Sequence, residues 1–415
     1  MKGYEVKRIS TRHQVMSSMN GRILFITQWK YDDALVQTYT LPYIRIITNI
    51  TSSYPYLITM KEGSKSTTIE KKNGVIVIQM PSGKRLLYMG WLLNFLKLYI
   101  ISGRKNIRLI HAWCTTAGTI GALLKLLDKR KTLVIDSFEP HAEAMVENES
   151  WRSGGIKFKS LFYMEKLEAA IADHLIFAAP GMENYILKKY KTQVTNFYVK
   201  PACTDLDMFS DKYMKDEALM AKYCLQDKIV CVYAGKFGGI YLEDETFAFI
   251  QSCDKYWGDD RFRFLLLSNV SEEYIREKIS KFSIRQSVVI KLFIPHSEVP
   301  SYMGLADFAI CPVKPVESKK YCSPIKNGEY WAMGLPIVIT PNISVDSDLI
   351  RNNHAGAILE GFTDADYKNA IKQVDSILQG KSRREVYTLI RPLAEKYRNF
   401  GIAENVYKKI YGQIS

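Results

Sequence analysis

The chain has 415 residues, 47% of them hydrophobic, with 57 Lys and Arg against 43 Asp and Glu for a formal net charge of +14. Such a length and apolar share exclude a single small module and predict two domains, each with its own core. The seven cysteines form no CxxC pair, which points to reduced core thiols in a cytoplasmic chain over a disulfide scaffold.

At the amino terminus, MKGYEVKRISTRHQVMSSMNG carries basic residues without an apolar stretch behind them. No secretory leader is expected, and the mature chain is expected to begin near Met1. Strand-like runs then follow one another: RILFIT (22–27), YLITM (56–60), GVIVIQM (74–80), IRLIHAW (107–113), TLVIDSF (132–138), HLIFAA (174–179) and VTNFYV (194–199). Between them lie segments of helical period such as TAGTIGALLKLLDKR and SLFYMEKLEAAIAD. The apolar run at 86–101 is broken by Asn94 and Lys97 and is shorter than the roughly 20 residues of a membrane span. It reads as an amphipathic or buried helix.

A polar, strand-poor stretch near 200–227 interrupts the alternation, which restarts with KIVCVYAG, RFRFLLLS, VVIKLFI, DFAICPV, PIVIT and AGAIL. The pattern predicts an α/β protein of two doubly wound, Rossmann-like domains facing a central cleft: residues 1–200, residues 201–380, and terminal helices at 381–415 bracing the two. Parallel sheets of this kind bind ligands beyond the carboxyl ends of their strands, so both binding edges point into the cleft. Charge is unevenly shared. Residues 1–200 hold 29 Lys and Arg and 15 Asp and Glu, whereas residues 201–415 hold 28 of each. A basic first half suits an anionic partner such as a phosphoryl-lipid or an acidic membrane surface.

The stretch YCSPIKNGEYWAMGLPIVIT (321–340) concentrates the chemistry. Ser323 and Pro324 predict a helix start, and Gly334 its end before the strand PIVIT. Free amides at Ile325 and Lys326, with the Lys326 charge, suit a phosphate. Glu329 shares a helix face with Ile325 and Ala332. A carboxylate there needs a partner, which a ribose diol or a nearby lysine supplies. Gly328 in the helix interior suggests close approach of a ligand or of backbone.

That stretch resembles the donor-site motif of the retaining glycosyltransferases of the GT-B fold, family four, the group 1 glycosyl transferases. RILFIT, IRLIHAWCTTAGTIGALL, FYMEKLEAAIADHLIFAAPGMENYI, YVKPACTDLDMF, VYAGKFGG and HSEVPSYMGLADFAICPV resemble further segments of that family in the same order. The resemblance implies a hexosyl transfer from a nucleoside-diphosphate sugar to an acceptor hydroxyl with retention, in synthesis of a cell-surface polysaccharide or glycolipid. Glu329 would bind ribose, and Ser323, Ile325 and Lys326 would face phosphate or sugar. Lys236, flanked by Gly235, Gly238 and Gly239, would neutralise the departing diphosphate. Phe293, Ile294 and Val299 would receive the nucleobase. Glu139 and His141, after TLVIDSF, compete for the role of orienting or deprotonating the acceptor, whereas His111 reads as a core histidine. Tyr321 departs from the family, which commonly has a glutamate there, and YLEDE (241–245) is acidic where a second basic residue usually falls.

The six histidines are scattered, with no HxxxH, so no metal and no cofactor are expected. Nor is there a nucleic-acid module. The expected partners are the nucleotide sugar, an anionic or lipid-linked acceptor, and the inner face of the membrane through a peripheral contact. The alternatives are a same-fold nucleotide-sugar epimerase and a non-catalytic nucleotide-sugar-binding protein.

Overall fold

Apolar strands and intervening helices assemble into two sheets in the computed structural model, which describes residues 21–64, 66–82 and 89–414. The amino-terminal stretch expected to hold no secretory leader lies outside the described residues, apart from Gly21. The first sheet contains β1 (Arg22–Lys30), β2 (Tyr54–Glu62), β3 (Thr68–Lys72), β4 (Val75–Ser82), β5 (Leu109–Trp113), β6 (Thr132–Phe138), β7 (His174–Phe177) and β8 (Phe197–Val199). Their order is β3-β4-β2-β1-β5-β6-β7-β8, parallel throughout except for the β3–β4 pair. β3, read from TIEKK, has no counterpart among the runs read from sequence, because it is a polar, largely exposed edge strand that lacks an apolar signature.

The helices of this domain are α1 (Leu41–Thr51), α2 (Met89–Arg104), α3 (Cys114–Leu127), α4 (His141–Glu147), α5 (Ile156–Ile171) and α6 (Met182–Tyr190). Leu98 of α2, Ala117 and Ile120 of α3, Ala169 of α5 and Tyr185 of α6 share one core beneath the sheet. α1 covers the other face through Tyr43, Ile44 and Ile47. Small residues set how closely α3 approaches: a Cβ on Gly121 would stand 2.6 Å from a Leu133 methyl. Among the described residues no helix is long and apolar enough to cross a membrane.

The second domain holds α7 (Glu217–Lys222), β9 (Ile229–Ala234), α8 (Asp244–Trp257), β10 (Phe262–Leu267), α9 (Glu272–Lys281), β11 (Val289–Leu292), α10 (Val299–Met303), β12 (Phe308–Cys311), α11 (Ile325–Ala332), β13 (Ile337–Ile339), α12 (Asp346–Asn352), β14 (Gly356–Ile358) and α13 (Asp364–Leu378). Its sheet runs β11-β10-β9-β12-β13-β14, all parallel, and the order in which the chain adds strands turns from one side to the other between β9 and β12. Each of the thirteen apolar runs read from sequence overlaps one of these strands. Buried on both faces, such strands need no alternation and stand out as continuous apolar runs.

Two more helices, α14 (Arg383–Tyr397) and α15 (Phe400–Ile414), divide between the domains. α14 opens with a reciprocal capping box between Ser382 and Glu385, and Val386, Ile390 and Ala394 join the second core. α15 instead gives Ala403, Tyr407 and Ile410 to the first core. All seven cysteines are free, and Cys203, Cys231, Cys253 and Cys311 are buried.

Candidate functional site

The strand order of the second sheet switches sides between β9 and β12, and a crevice at such a point is where open parallel sheets take ligands. Gly235 follows β9 directly, at φ +143°, and the loop continues through Lys236, Phe237, Gly238 (φ +87°) and Gly239 (φ +62°). α11, the first α-helix after β12, begins at Ile325 and presents its first turn to this loop. Lys326 is the link between them. Its side chain runs back under the glycine loop, so that a Cβ on Gly235 would stand 2.8 Å from Nζ. The ammonium lies 3.8 Å from the Tyr241 ring centre and 4.2 Å from that of Tyr233. It is 92% buried, being 8% exposed, and has no hydrogen-bond partner. Burial pulls its pKa down to about 8, against a smaller opposing pull from Cys311 and Glu329.

An ammonium with three unmet donors, held by two π faces, is well placed to receive an anion from the cleft. Three residues on along the same helix, Glu329 is half-buried, and its Oε1 stands 3.5 Å from His296 Nε2. That length is at the limit of a hydrogen bond, and it leaves the carboxylate free to accept from hydroxyls. Lys236 itself is exposed, while its carbonyl accepts from the Tyr233 hydroxyl at 2.6 Å, which fixes the loop's start. Phe293, 74% exposed, ends the neighbouring edge of the sheet. Ile294 and Val299 turn inward and pack on the second core.

Across the cleft, β6 delivers Glu139 and α4 begins at His141, whose amide donates to the Glu139 carbonyl at 2.8 Å. Buried Glu165 of α5 braces this turn: it accepts from the Ala142 amide and from the Tyr190 hydroxyl, both at 2.8 Å. Glu139 faces both domains. Burial raises the thiol pKa of Cys114 in the first domain and of Cys322 in the second, and the Glu139 charge raises each further. α4 also reaches across the cleft, since both Glu147 carboxylate oxygens accept from the Ser318 amide at 3.2 Å. Three residues further, the Tyr321 ring packs on Tyr185 of α6 at 5.3 Å. Tyr321 is thus an interdomain contact in this structure.

Ser323 does not cap α11, contrary to the sequence expectation: Pro324 is the N-cap and no side chain caps the helix. The Ser323 hydroxyl accepts instead from the Ala202 amide at 3.0 Å and from Arg398 Nη1 at 2.7 Å. It ties α11 to both places where the chain crosses between domains. Arg398 also pairs with Asp346, which accepts from Asn327 at 2.7 Å. Gly328 answers to this same packing, because a Cβ there would lie 2.4 Å from Thr204 Oγ1 and 3.3 Å from Arg398 Cγ. Gly328→Ala is therefore expected to cost about 1–3 kcal/mol, and adding Thr204→Ala should recover part of it in thermal denaturation. The acidic run at 241–245 is engaged too: Asp244 pairs with Lys278 and Lys281, and Glu243 accepts from the Tyr274 hydroxyl. His111 is a core residue, fully buried between Tyr411 and Asp136.

His296, Tyr233, Tyr241 and Glu147 were not singled out by sequence. His296 lies in PHSE beside the expected nucleobase loop, and its position next to Glu329 shows only in the fold. The two tyrosines belong to a strand and a loop whose apolar pattern reads as core.

Two facing doubly wound sheets with crossing terminal helices constitute the GT-B fold of glycosyltransferases. Sucrose-phosphate synthase from Thermosynechococcus elongatus superposes with a TM-score of 0.73 at 14% identity, covering 95% of this chain and 99% of that one. WaaG, a glycosyltransferase involved in lipopolysaccharide biosynthesis, gives 0.68 at 14% identity over 94% and 100% of the two chains. HepE of Anabaena, solved in complex with UDP, gives 0.66 at 12% identity over 95% and 99%. Within the second domain, residues 228–376 match the family described as Glycosyl transferases group 1. No curated protein sequence matches the chain.

Proposed function

We propose that the protein is a glycosyltransferase that moves a hexosyl group from a nucleoside diphosphate to an acceptor hydroxyl, with retention, in assembly of a cell-surface polysaccharide or glycolipid. The observation that carries this reading is the unpartnered Lys326 ammonium beneath Gly235, with Glu329 open beside it on the same helix. In this reading the diphosphate lies on the glycine loop and the first turn of α11. Lys326, Lys236 and the amides of Ile325 and Lys326 neutralise it, with no bound metal required. Glu329 accepts from the ribose hydroxyls, and Phe293 covers the base.

As the glycosidic bond lengthens, negative charge grows on the departing diphosphate, and these cations stabilise it more than they stabilise the ground state. The acceptor hydroxyl enters from the first domain, where Glu139 or His141 orients it and takes its proton. The two sides work together only when the cleft is closed, and the Glu147–Ser318 and Tyr185–Tyr321 contacts span that closure. Support for the donor side comes from the group 1 match over residues 228–376 and from neighbours solved with UDP or UDP-glucose.

The test separates the two halves of the site. Glu329→Ala is expected to weaken nucleoside-diphosphate binding about tenfold or more by calorimetry. Glu139→Ala or His141→Ala should leave that affinity within about twofold and lower turnover about 100-fold. Wild-type nucleotide affinity in Glu329→Ala would remove the ribose assignment. A thermal-shift panel of nucleotide sugars identifies the donor, since a ligand bound only by the folded state raises the melting temperature with its affinity.

A further inference from the structure

The outer face of the first domain's helical layer combines exposed apolar side chains with uncompensated positive charge. α5 turns Phe162, Glu165, Glu168 and Ala169 inward, the two glutamates being fully buried. Its opposite face carries Ile156, 87% exposed, and Tyr163, 64% exposed, interleaved with exposed Lys157, Lys159 and Lys166. Both acids of this helix are thus spent inside, on the Ala142 amide, the Tyr190 hydroxyl and Thr119. None is left to balance the lysines on the outer face.

α2, which packs on the same core through Leu98, repeats the arrangement. Leu96, Tyr99 and Ile100 are exposed beside Lys97 and Arg104. The stretch that contains it, residues 71–127, has nine Lys and Arg and no Asp or Glu. A solvated basic face serving solubility would place charges there without large apolar side chains between them. Here aliphatic and aromatic groups occupy the outward positions of two helices, with lysines at their flanks, as in segments that lie in a membrane interface.

We infer that the face formed by α2 and α5 docks on a bilayer surface rich in anionic lipid. Ile156, Tyr163, Leu96 and Ile100 enter the headgroup boundary, and the surrounding lysines meet the lipid phosphates. α5 packs on α4, and its Glu165 reaches the turn that follows Glu139 and His141, so a bilayer against this helix lies on the acceptor side of the cleft. An acceptor embedded in that bilayer would reach the cleft without leaving it. Lys72, on β3, contributes little, because it is paired with Glu70 at 2.9 Å. The docking surface is independent of the chemistry assigned to the cleft.

The experiment is sedimentation of the full chain with vesicles of phosphatidylcholine, with and without phosphatidylglycerol, at rising salt. Wild type should bind the mixed vesicles, release as salt rises, and ignore the neutral ones. One basic residue near an anionic leaflet strengthens binding about fivefold, so Lys157→Glu/Lys159→Glu/Lys166→Glu should lose about 100-fold or more. Ile156→Ser/Tyr163→Ser should weaken binding about tenfold or more without changing the salt dependence. Reversing Lys368 and Lys372, exposed on α13 of the second domain, should leave binding unchanged. All five side chains replaced on α5 are solvent-facing, and unchanged melting temperatures will show that the variants are folded. Failure of wild type to bind mixed vesicles, or equal binding by the triple reversal, overturns the proposal. So does a dimer in light scattering that Ile156→Ser/Tyr163→Ser splits without any vesicle binding, which would make the face an interface between copies.

Discussion

Lys200→Met is expected to destabilise the protein by about 3–5 kcal/mol, the largest loss from any single substitution considered. Lys200 is fully buried at the end of the first domain. Its Nζ stands 3.3 Å from Asp136 Oδ1 and from the Tyr39 hydroxyl, and 3.9 Å from the Tyr43 ring centre. Burial alone would push the Asp136 carboxyl up, but Lys200, His111 and the Tyr407 hydroxyl outweigh it and hold the pKa at about 2. Without the lysine, Asp136 keeps contacts to His111, Tyr407 and the Ser137 hydroxyl but has no buried cation, and a charge so placed must take up a proton or open the core. Asp136→Asn added to Lys200→Met removes the stranded charge and should recover most of the loss.

The pH dependence follows from the same pair. Asp136 titrates near 3.8 in an unfolded chain and near 2 in the fold. Its contribution is therefore complete above about pH 4 and fades as pH falls toward 2. In Lys200→Met the folded value climbs, so acid unfolding begins at higher pH. Because Tyr407 of α15 donates to Asp136 at 2.7 Å, the variant should also loosen the terminal helix from the first domain. Proteolysis between α14 and α15 would report that loosening, and an unchanged melting curve would show that the pair contributes nothing.

The division of this network between distant segments explains what could be read from the sequence. The parallel strands are continuous apolar runs, so their existence and order are local properties, and the two-domain layout follows from the polar break near residue 200. β3 was invisible because an exposed edge needs no apolar run. Glu329 and Lys326 stood out because a charge in an apolar helix requires an explanation. What holds them does not show locally: the tyrosines that enclose Lys326 come from residues 233 and 241, and His296 approaches Glu329 from 33 residues away. Ser323 follows the same rule and does not cap α11. Its local sequence suits a cap, yet partners 121 and 75 residues distant, Ala202 and Arg398, claim its hydroxyl. Tyr321 departs from the motif that the stretch resembles, but only the fold shows its ring on Tyr185.

Lys326→Met should produce two effects of opposite sign. The side chains are similar in length, and methionine fits the slot between Tyr233 and Tyr241 without an ammonium to desolvate. Burial depresses the Lys326 pKa from 10.5 to about 8. The fold therefore bears the full cost of the buried charge below pH 8, and the cost is relieved between pH 8 and 10.5, where an unfolded chain holds a proton that the folded chain has given up. At neutral pH the variant should accordingly be more stable than wild type, by about 1–3 kcal/mol. Nucleoside-diphosphate binding should move the other way and weaken about tenfold to a hundredfold, as expected for loss of a charge-assisted contact. Wild-type affinity should also fall as pH rises through 8 and the free ammonium loses its proton, whereas the variant's affinity should be flat over that range. A lysine kept at the expense of stability is then explained by the ligand. If Lys326→Met instead lowers the melting temperature and leaves nucleotide binding untouched, Lys326 is a cation–π strut for the glycine loop and the phosphate site must lie elsewhere in the cleft.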